Sequence, residues 1–148
     1  MHPMETVATA VEWVAPGLAY NLDFLPEDRL DWKPEPTAKS ALAVAAEVLG
    51  VIREITKVVK GGSFGMAGEQ PEKTKTELQQ ALRAATAEYA AAVRALTPEE
   101  LERSIETPWG TSSLAHFATY ALIEASHHRG QVLYLQSLLG DAAQHMGG

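Results

Sequence analysis

The chain has 148 residues, 46% of them hydrophobic and 21% charged, which fits one globular domain over residues 1–148. A formal net charge of −7 without a long Lys/Arg run excludes a basic nucleic-acid footprint, and the lack of cysteine excludes disulfides and thiolate metal sites. No apolar run is as long as a membrane span and no signal peptide is evident, so we predict a cytoplasmic protein with no membrane partner.

Helical patterns begin close to the N-terminus. Apolar residues spaced by three and four predict a first helix over about residues 5–25, which Pro16 interrupts. A Pro-rich connection over residues 26–36 follows. It leads to a second helix over about residues 38–60, for which Thr37 is the predicted N-cap.

The second half of the chain continues the helical pattern. A narrow apolar stripe predicts a third helix over about residues 71–96, and Thr97 is predicted to cap a short helical turn. Residues 103–111 are predicted to be irregular. A fourth helix is predicted over about residues 112–139, before a frayed tail over residues 141–148. Four such helices without an alternating segment predict an all-α four-helix bundle.

The fourth predicted helix carries a carboxylate and an imidazole on one face. Glu124 and His128 are four residues apart and lie in phase with the apolar stripe of the helix. His127 lies about 100° away from His128 and cannot point along the same line. Helical bundles build metal sites from Glu and His side chains that project into the interior. The pair therefore predicts half of a metal site.

A third candidate ligand lies on the second predicted helix. Glu47 is the only polar side chain among residues 41–52, and a buried carboxylate needs a partner because its desolvation is costly. A metal ion held by Glu47, Glu124 and His128 would provide that partner and keep positions open for water or substrate. The alternative is a structural network in which Glu47 pairs with Arg129 or with protonated His128.

Other histidines and metal sites are less well supported by the sequence. A ferritin-like di-iron site needs two Glu-x-x-His motifs, and Glu124–His127 is the only one in the chain. His116 lies about 80° from the line of Glu124, so we expect it to be a bundle or pocket-lining histidine. Arg129 could bind an anionic group of a substrate, although a structural salt bridge is the favoured role.

Several short motifs together resemble the DinB-like (DinB/YfiT-like) family of bacterial proteins. The block His127-His128-Arg129-Gly130-Gln131 is the most specific of them. Further matches are residues 25–34, Ser40 at the head of an apolar helix, and Pro108-Trp109-Gly110. The resemblance implies an up-down four-helix bundle with a long crossover connection, often dimeric, with a divalent metal at one end.

The resemblance also implies which residues hold the metal. The family's three ligands are histidines, and they fall by position on Glu47, Glu124 and His128, so that only His128 keeps the usual residue type. The two carboxylates make the site harder and more anionic. The expected cofactor is a divalent metal ion, namely Zn, Fe, Mn or Ni.

Two functions from different classes follow from these candidate ligands and from the resemblance. The first is a homodimeric metal-dependent transferase or hydrolase that acts on a small-molecule substrate, with a low-molecular-weight thiol, whose pKa the metal lowers, as one candidate partner. The second is a non-catalytic helical bundle, in which the same residues form a structural Glu/His/Arg network or a small-molecule binding site in a stress response.

Overall fold

Four long helices and one short hairpin make up the computed structural model, which describes residues 1–147. Gly148, the last residue of the predicted domain and tail, lies outside the described residues. The elements are α1 (Glu5–Asn21), α2 (Ala41–Val59), α3 (Lys75–Arg94), α4 (Pro98–Leu101), β1 (Ser104–Thr107), β2 (Gly110–Ser113) and α5 (Leu114–Leu138). Two single turns of 3-10 helix, Leu22–Phe24 and Glu27–Arg29, lie between α1 and α2.

Hydroxyl caps determine where the helices after α1 begin. The Ser40 side chain accepts a hydrogen bond from the Ala43 amide at 3.2 Å, so α2 starts three residues later than predicted and Thr37 is not its cap. Thr74 caps α3 through a reciprocal capping box. Thr97 caps α4 in the same way, as predicted. Each cap satisfies an amide that the first helical turn leaves unpaired.

Helix α1 continues through Pro16 to Asn21. A proline inside a helix removes one intrahelical hydrogen bond, and here the buried face of α1 keeps the helix intact on both sides of it. The predicted helix over residues 5–25 therefore exists, but its last turn is the 3-10 turn Leu22–Phe24.

The order of the helices around the bundle differs from their order in the chain. Helix α1 packs against α3 and α5, and α2 packs against the same two helices, so that α1 and α2 lie diagonally opposite each other. The connection over residues 22–40 crosses the end of the bundle to join them. Tyr89 of α3 lies in the core and donates a hydrogen bond to the Ala118 carbonyl of α5 at 2.7 Å. The predicted four-helix bundle with a crossover connection is confirmed.

A β-hairpin replaces the predicted irregular segment before α5. Strands β1 and β2 pair in antiparallel fashion, from Ser104 opposite Ser113 to Thr107 opposite Gly110. Four residues a strand are too few to produce a recognisable alternating pattern, and this is why the sequence did not reveal them. The turn places Trp109 at the tip, and Gly110 has a positive φ of 123° that suits glycine.

The C-terminal residues fold back on the bundle and are not the frayed tail that the sequence suggested. The Asn21 side-chain amide donates to the carbonyl of His145 at 2.7 Å. The His145 ring stacks on Phe24 with a centroid separation of 3.6 Å. No helix within residues 1–147 has the combination of length and hydropathy needed to cross a bilayer.

Candidate functional site

The imidazole of His128 is buried inside the bundle and held in one orientation. Its side chain is 4% exposed, while His127 beside it faces solvent, as the helical phase predicted. The Nδ1 atom of His128 lies 2.6 Å from Oε1 of Gln131, one turn further along α5. In the tautomer that donates from Nδ1 to this amide oxygen, the lone pair of the neutral ring is on Nε2.

The two predicted carboxylates flank the other nitrogen of this ring. The Nε2 atom of His128 lies 3.3 Å from Oε2 of Glu124 and 3.7 Å from Oε1 of Glu47. It has no hydrogen-bond partner among the residues that the structure describes. The fold therefore brings together the three residues that the sequence singled out, two from α5 and one from α2.

In this tautomer a positive charge near Nε2 would stabilise the arrangement. A lone pair that faces two carboxylate oxygens is repelled by them unless the ring takes up a proton or a cation lies among the three groups. Two carboxylates and a neutral imidazole would balance the charge of a divalent ion. Ligands bound at about 2.1 Å in tetrahedral geometry lie about 3.4 Å apart, close to the two separations found here. The types of donor and the unpaired Nε2 therefore fit a metal ion.

The position of Glu47 differs from the prediction. Its side chain is 37% exposed rather than buried, and its second carboxylate oxygen forms an ion pair with Lys39. Lys39 precedes Ser40, the cap of α2, and its long side chain reaches Glu47 on that helix. This partner of Glu47 was not predicted from the sequence. Among residues 1–147, no group of three His, Cys, Asp or Glu side chains is already arranged to hold a metal ion.

Arg129 is not part of this site, and neither the alternative in which it pairs with Glu47 nor its expected structural salt bridge is found among the described residues. Its guanidinium turns towards α1, where Nε donates to Oδ1 of Asn21 at 2.9 Å and the group lies over the Trp13 ring. No carboxylate among the described residues pairs with it, and burial lowers the pKa of Arg129. Gly17 leaves the space that the guanidinium fills. Arg129 is a packing residue of the interface between α1 and α5.

A cavity of about 800 Å³ opens beside the three residues. Glu47 and Glu124 line it, and so does His116, which the sequence predicted as a bundle or pocket-lining histidine. Its other walls come from the connection between α2 and α3 and from the hairpin. These walls include Phe64 and Trp109, neither of which was predicted to belong to a site.

Comparisons with known proteins agree with the fold described above. The sequence profile of the DinB family matches residues 4–147. A DinB-like protein from Bacillus subtilis has a crystal structure similar to this chain, with a TM-score of 0.75 and 20% sequence identity, and the match covers 93% of this chain and 94% of that one. No curated protein sequence matches this chain significantly.

Two further crystal structures show the same likeness. One is a conserved protein from Enterococcus faecalis, with a TM-score of 0.77 and 15% identity, in a match that covers 95% of this chain and 99% of that one. The other is a DinB-like protein from Bacillus cereus, with a TM-score of 0.74 and 18% identity, and the match covers 95% of each chain. At these identities the comparisons establish the shared fold.

Proposed function

The chain belongs to the DinB family, and from this membership and the geometry around His128 we propose that it binds one divalent metal ion and uses it to transform a small organic molecule. The observation that carries the proposal is the buried Nε2 atom of His128, which has no hydrogen-bond partner within the described residues and faces two carboxylates. Zn, Fe, Mn and Ni are the candidate ions, and the carboxylates favour the harder ones.

The residues of the site would have distinct roles. His128 and Glu124 would bind the ion from one face of α5, and Glu47 would bind it from α2 after release from Lys39. Gln131 would keep the His128 ring in the tautomer that presents Nε2. The bound ion would act as a Lewis acid that lowers the pKa of a thiol or water. A transferase that uses a low-molecular-weight thiol and a hydrolase are both compatible with this role.

A structural ion network is the second candidate function, and the Lys39–Glu47 pair favours it. In that case His128 is protonated, and it pairs with Glu124 at 3.3 Å and with Glu47 at 3.7 Å. The network would then hold α2 and α5 together without a metal, through the side chains of Lys39, Glu47, Glu124 and His128. The two candidate functions predict different results when Lys39 is replaced. At a metal site, loss of the competing lysine strengthens metal binding. In a structural network, loss of the lysine lowers the stability of the protein.

Metal titration of tag-free protein tests this choice. We expect the metal-free chain to bind one Mn²⁺ or Zn²⁺ ion, and Glu124→Gln to weaken binding by about tenfold or more, since it removes a charged ligand. Lys39→Ala should strengthen binding by about two- to fivefold, because Glu47 loses a competing cation that is half exposed. Isothermal titration calorimetry gives both affinities and the stoichiometry.

A remote glutamate provides the matched control for the titration. Glu88 of α3 pairs with Lys60 on the surface much as Glu47 pairs with Lys39. Glu88→Gln should leave the metal affinity unchanged. The proposal fails if no ion binds, or if Glu124→Gln and Glu88→Gln have the same affinity as the parent chain. In the structural network, Lys39→Ala would lower the stability of the metal-free protein and no ion would bind.

We also propose that the chain forms a homodimer through one face of α5. The exposed side chains along this face of α5 include no Asp, Glu, Lys or Arg, and they are Ile123, Ser126, His127, Tyr134, Ser137 and Leu138. Two copies of a chain with a net charge of −7 repel each other least where a face is uncharged. Gly130 lies in the middle of this face, and a Cβ there would meet no atom of the described chain. A glycine in this place would let a second helix approach closely.

A charge placed on this face should separate the two copies. Tyr134 is 66% exposed, and Tyr134→Glu is expected to change the mass in solution from twice the 16.0 kDa of one chain to that of the monomer. Ala87→Glu, at an exposed position of α3 outside the face, should leave the dimer intact. Light scattering coupled to size exclusion measures the masses. A monomeric parent chain, or a dimer that survives Tyr134→Glu, would contradict the assignment of the interface.

A further inference from the structure

The cavity beside the candidate site has the size of a site for a small organic molecule. Its volume of about 800 Å³ lies within the range of about 300–1,000 Å³ that is typical of ligand pockets. Helices α2 and α5 form one side of it. The connection over residues 62–74 and the tip of the hairpin form the other side, so that the cavity ends at Glu47 and Glu124.

Aromatic side chains form a continuous wall of this cavity. Phe64 meets Trp109 and Phe117 edge to face, with ring centroids 5.9 Å apart in both pairs. Tyr120 extends the wall, because its ring lies 6.2 Å from that of Phe117. Trp109 is 75% exposed although it is large and apolar. A ligand in the cavity would cover part of this exposed surface, and burial of apolar surface favours binding.

The connection that carries Phe64 is held in place by polar contacts with α2. Arg53 of α2 donates two hydrogen bonds to Glu72, at 2.7 and 2.9 Å, and a third to Gln70 at 2.7 Å. Glu54 accepts a hydrogen bond from the Gly65 amide at 2.5 Å. These contacts order the wall before a ligand arrives, which lowers the entropy that binding would otherwise cost.

The charged groups of the cavity have one sign. Its acidic side chains are Glu47, Glu54 and Glu124, and no Lys or Arg of the described chain lines it. Lys57 neutralises Glu54 and Lys39 neutralises Glu47, each from outside the lining. Glu124 has only His128 as an ionisable partner within residues 1–147. In the metal-free protein an anion in the cavity would therefore meet the carboxylate of Glu124, and His116 is the only described lining side chain that could carry a positive charge.

We propose that in the metal-free protein this cavity prefers uncharged or cationic molecules with an apolar, ring-sized body over anionic ones. The proposal deepens the proposed function and rests on it for the assignment of such molecules as substrates. The body of the molecule packs on Phe64, Trp109 and Tyr120. Its polar end points towards Glu47 and Glu124, which line the cavity.

Two fluorescent probes with the same ring system test the selectivity. N-phenyl-1-naphthylamine is uncharged, and 1-anilinonaphthalene-8-sulfonate adds a sulfonate to the same skeleton. In buffer with EDTA, we expect the uncharged probe to bind at least tenfold more tightly than the sulfonate. Glu124→Gln should narrow this ratio by severalfold, because it removes the repulsive charge and keeps the shape of the side chain.

Tryptophan variants locate the bound probe. Trp109→Ala should weaken binding of the uncharged probe by about fivefold, since it removes one aromatic contact from the wall. Trp13→Ala removes a tryptophan that lies against Arg129, outside the cavity, and should have no effect. The hairpin tip is exposed, so Trp109→Ala should not unfold the protein, and circular dichroism checks this.

The proposal is overturned if the sulfonate binds as tightly as the uncharged probe, or if Trp109→Ala and Trp13→Ala bind the uncharged probe alike. All measurements use metal-free protein, so they do not depend on whether a metal ion binds. Failure of the metal proposal would appear separately, in the titration with Mn²⁺ or Zn²⁺. If the probes bind with the expected selectivity but no metal ion binds, the protein binds small molecules without a metal site.

Discussion

Replacement of His128 by alanine is expected to weaken divalent-metal binding by about 100-fold or more, the largest effect of any single substitution at the site. His128 is the one buried group among the three candidate ligands, and its unpaired Nε2 faces both carboxylates. Loss of a partner that only orients a ligand already costs about 10–100-fold in metal affinity, so loss of the ligand itself should cost more. Calorimetric titration with Mn²⁺ or Zn²⁺ measures the difference.

The neighbouring histidine provides the matched control for this substitution. His127 is exposed, and its ring centroid lies 4.8 Å from that of His128. His127→Ala changes the same residue type one position away and should leave the metal affinity unchanged. Gln131→Leu should give an intermediate loss of about 10–100-fold, because it frees the His128 ring without removing it. Equal affinities in His127→Ala and His128→Ala would contradict the metal site.

Gly17→Ala is expected to destabilise the protein by about 1–3 kcal/mol, because the added methyl group overlaps a buried side chain. A Cβ at Gly17 would lie 2.5 Å from Nη1 of Arg129 and 2.6 Å from its Cζ. In an ordinary helix interior, a change from Gly to Ala raises the free energy of unfolding by about 1 kcal/mol. A decrease on Gly17→Ala would therefore indicate the overlap with Arg129. Relief of the overlap would move the guanidinium away from Asn21, to which it donates a hydrogen bond. Urea unfolding measures the free energy.

A double-mutant cycle with Arg129 separates this overlap from other effects of the methyl group. In an Arg129→Ala background the space at Gly17 is no longer filled, and Gly17→Ala should become neutral or stabilise by up to about 1 kcal/mol. The same destabilisation in both backgrounds would show that the guanidinium is not the group for which Gly17 makes room.

The helices and the pairing of Glu124 with His128 could be predicted from the sequence because they depend on local periodicity. Residues four apart lie on one face of any helix, and the apolar stripe of α5 indicates which face points inwards. Glu47 was found for the same local reason, as a single polar residue in an apolar stretch. Its exposure and its pairing with Lys39 were not predicted, because they depend on the path of the connection before α2.

The walls of the cavity could not be predicted from local pattern. The connection over residues 62–74 and the hairpin have no periodicity, so nothing in the sequence indicates that Phe64 and Trp109 lie together. From the sequence, the hairpin segment was expected to be irregular. Only contacts between residues distant in the chain bring these rings to the ends of Glu47 and Glu124.

The sequence by itself determined the helical content, the inward phase of Glu124 and His128, and the family to which the chain belongs. The tertiary structure decided which helix each side chain meets. His128 and Arg129 are neighbours in the chain, yet His128 faces Glu47 of α2 while Arg129 contacts Asn21 of α1. Helical phase gives the direction of a side chain relative to its own axis. The partner found in that direction depends on the packing order of α1, α3, α2 and α5, which no local pattern encodes.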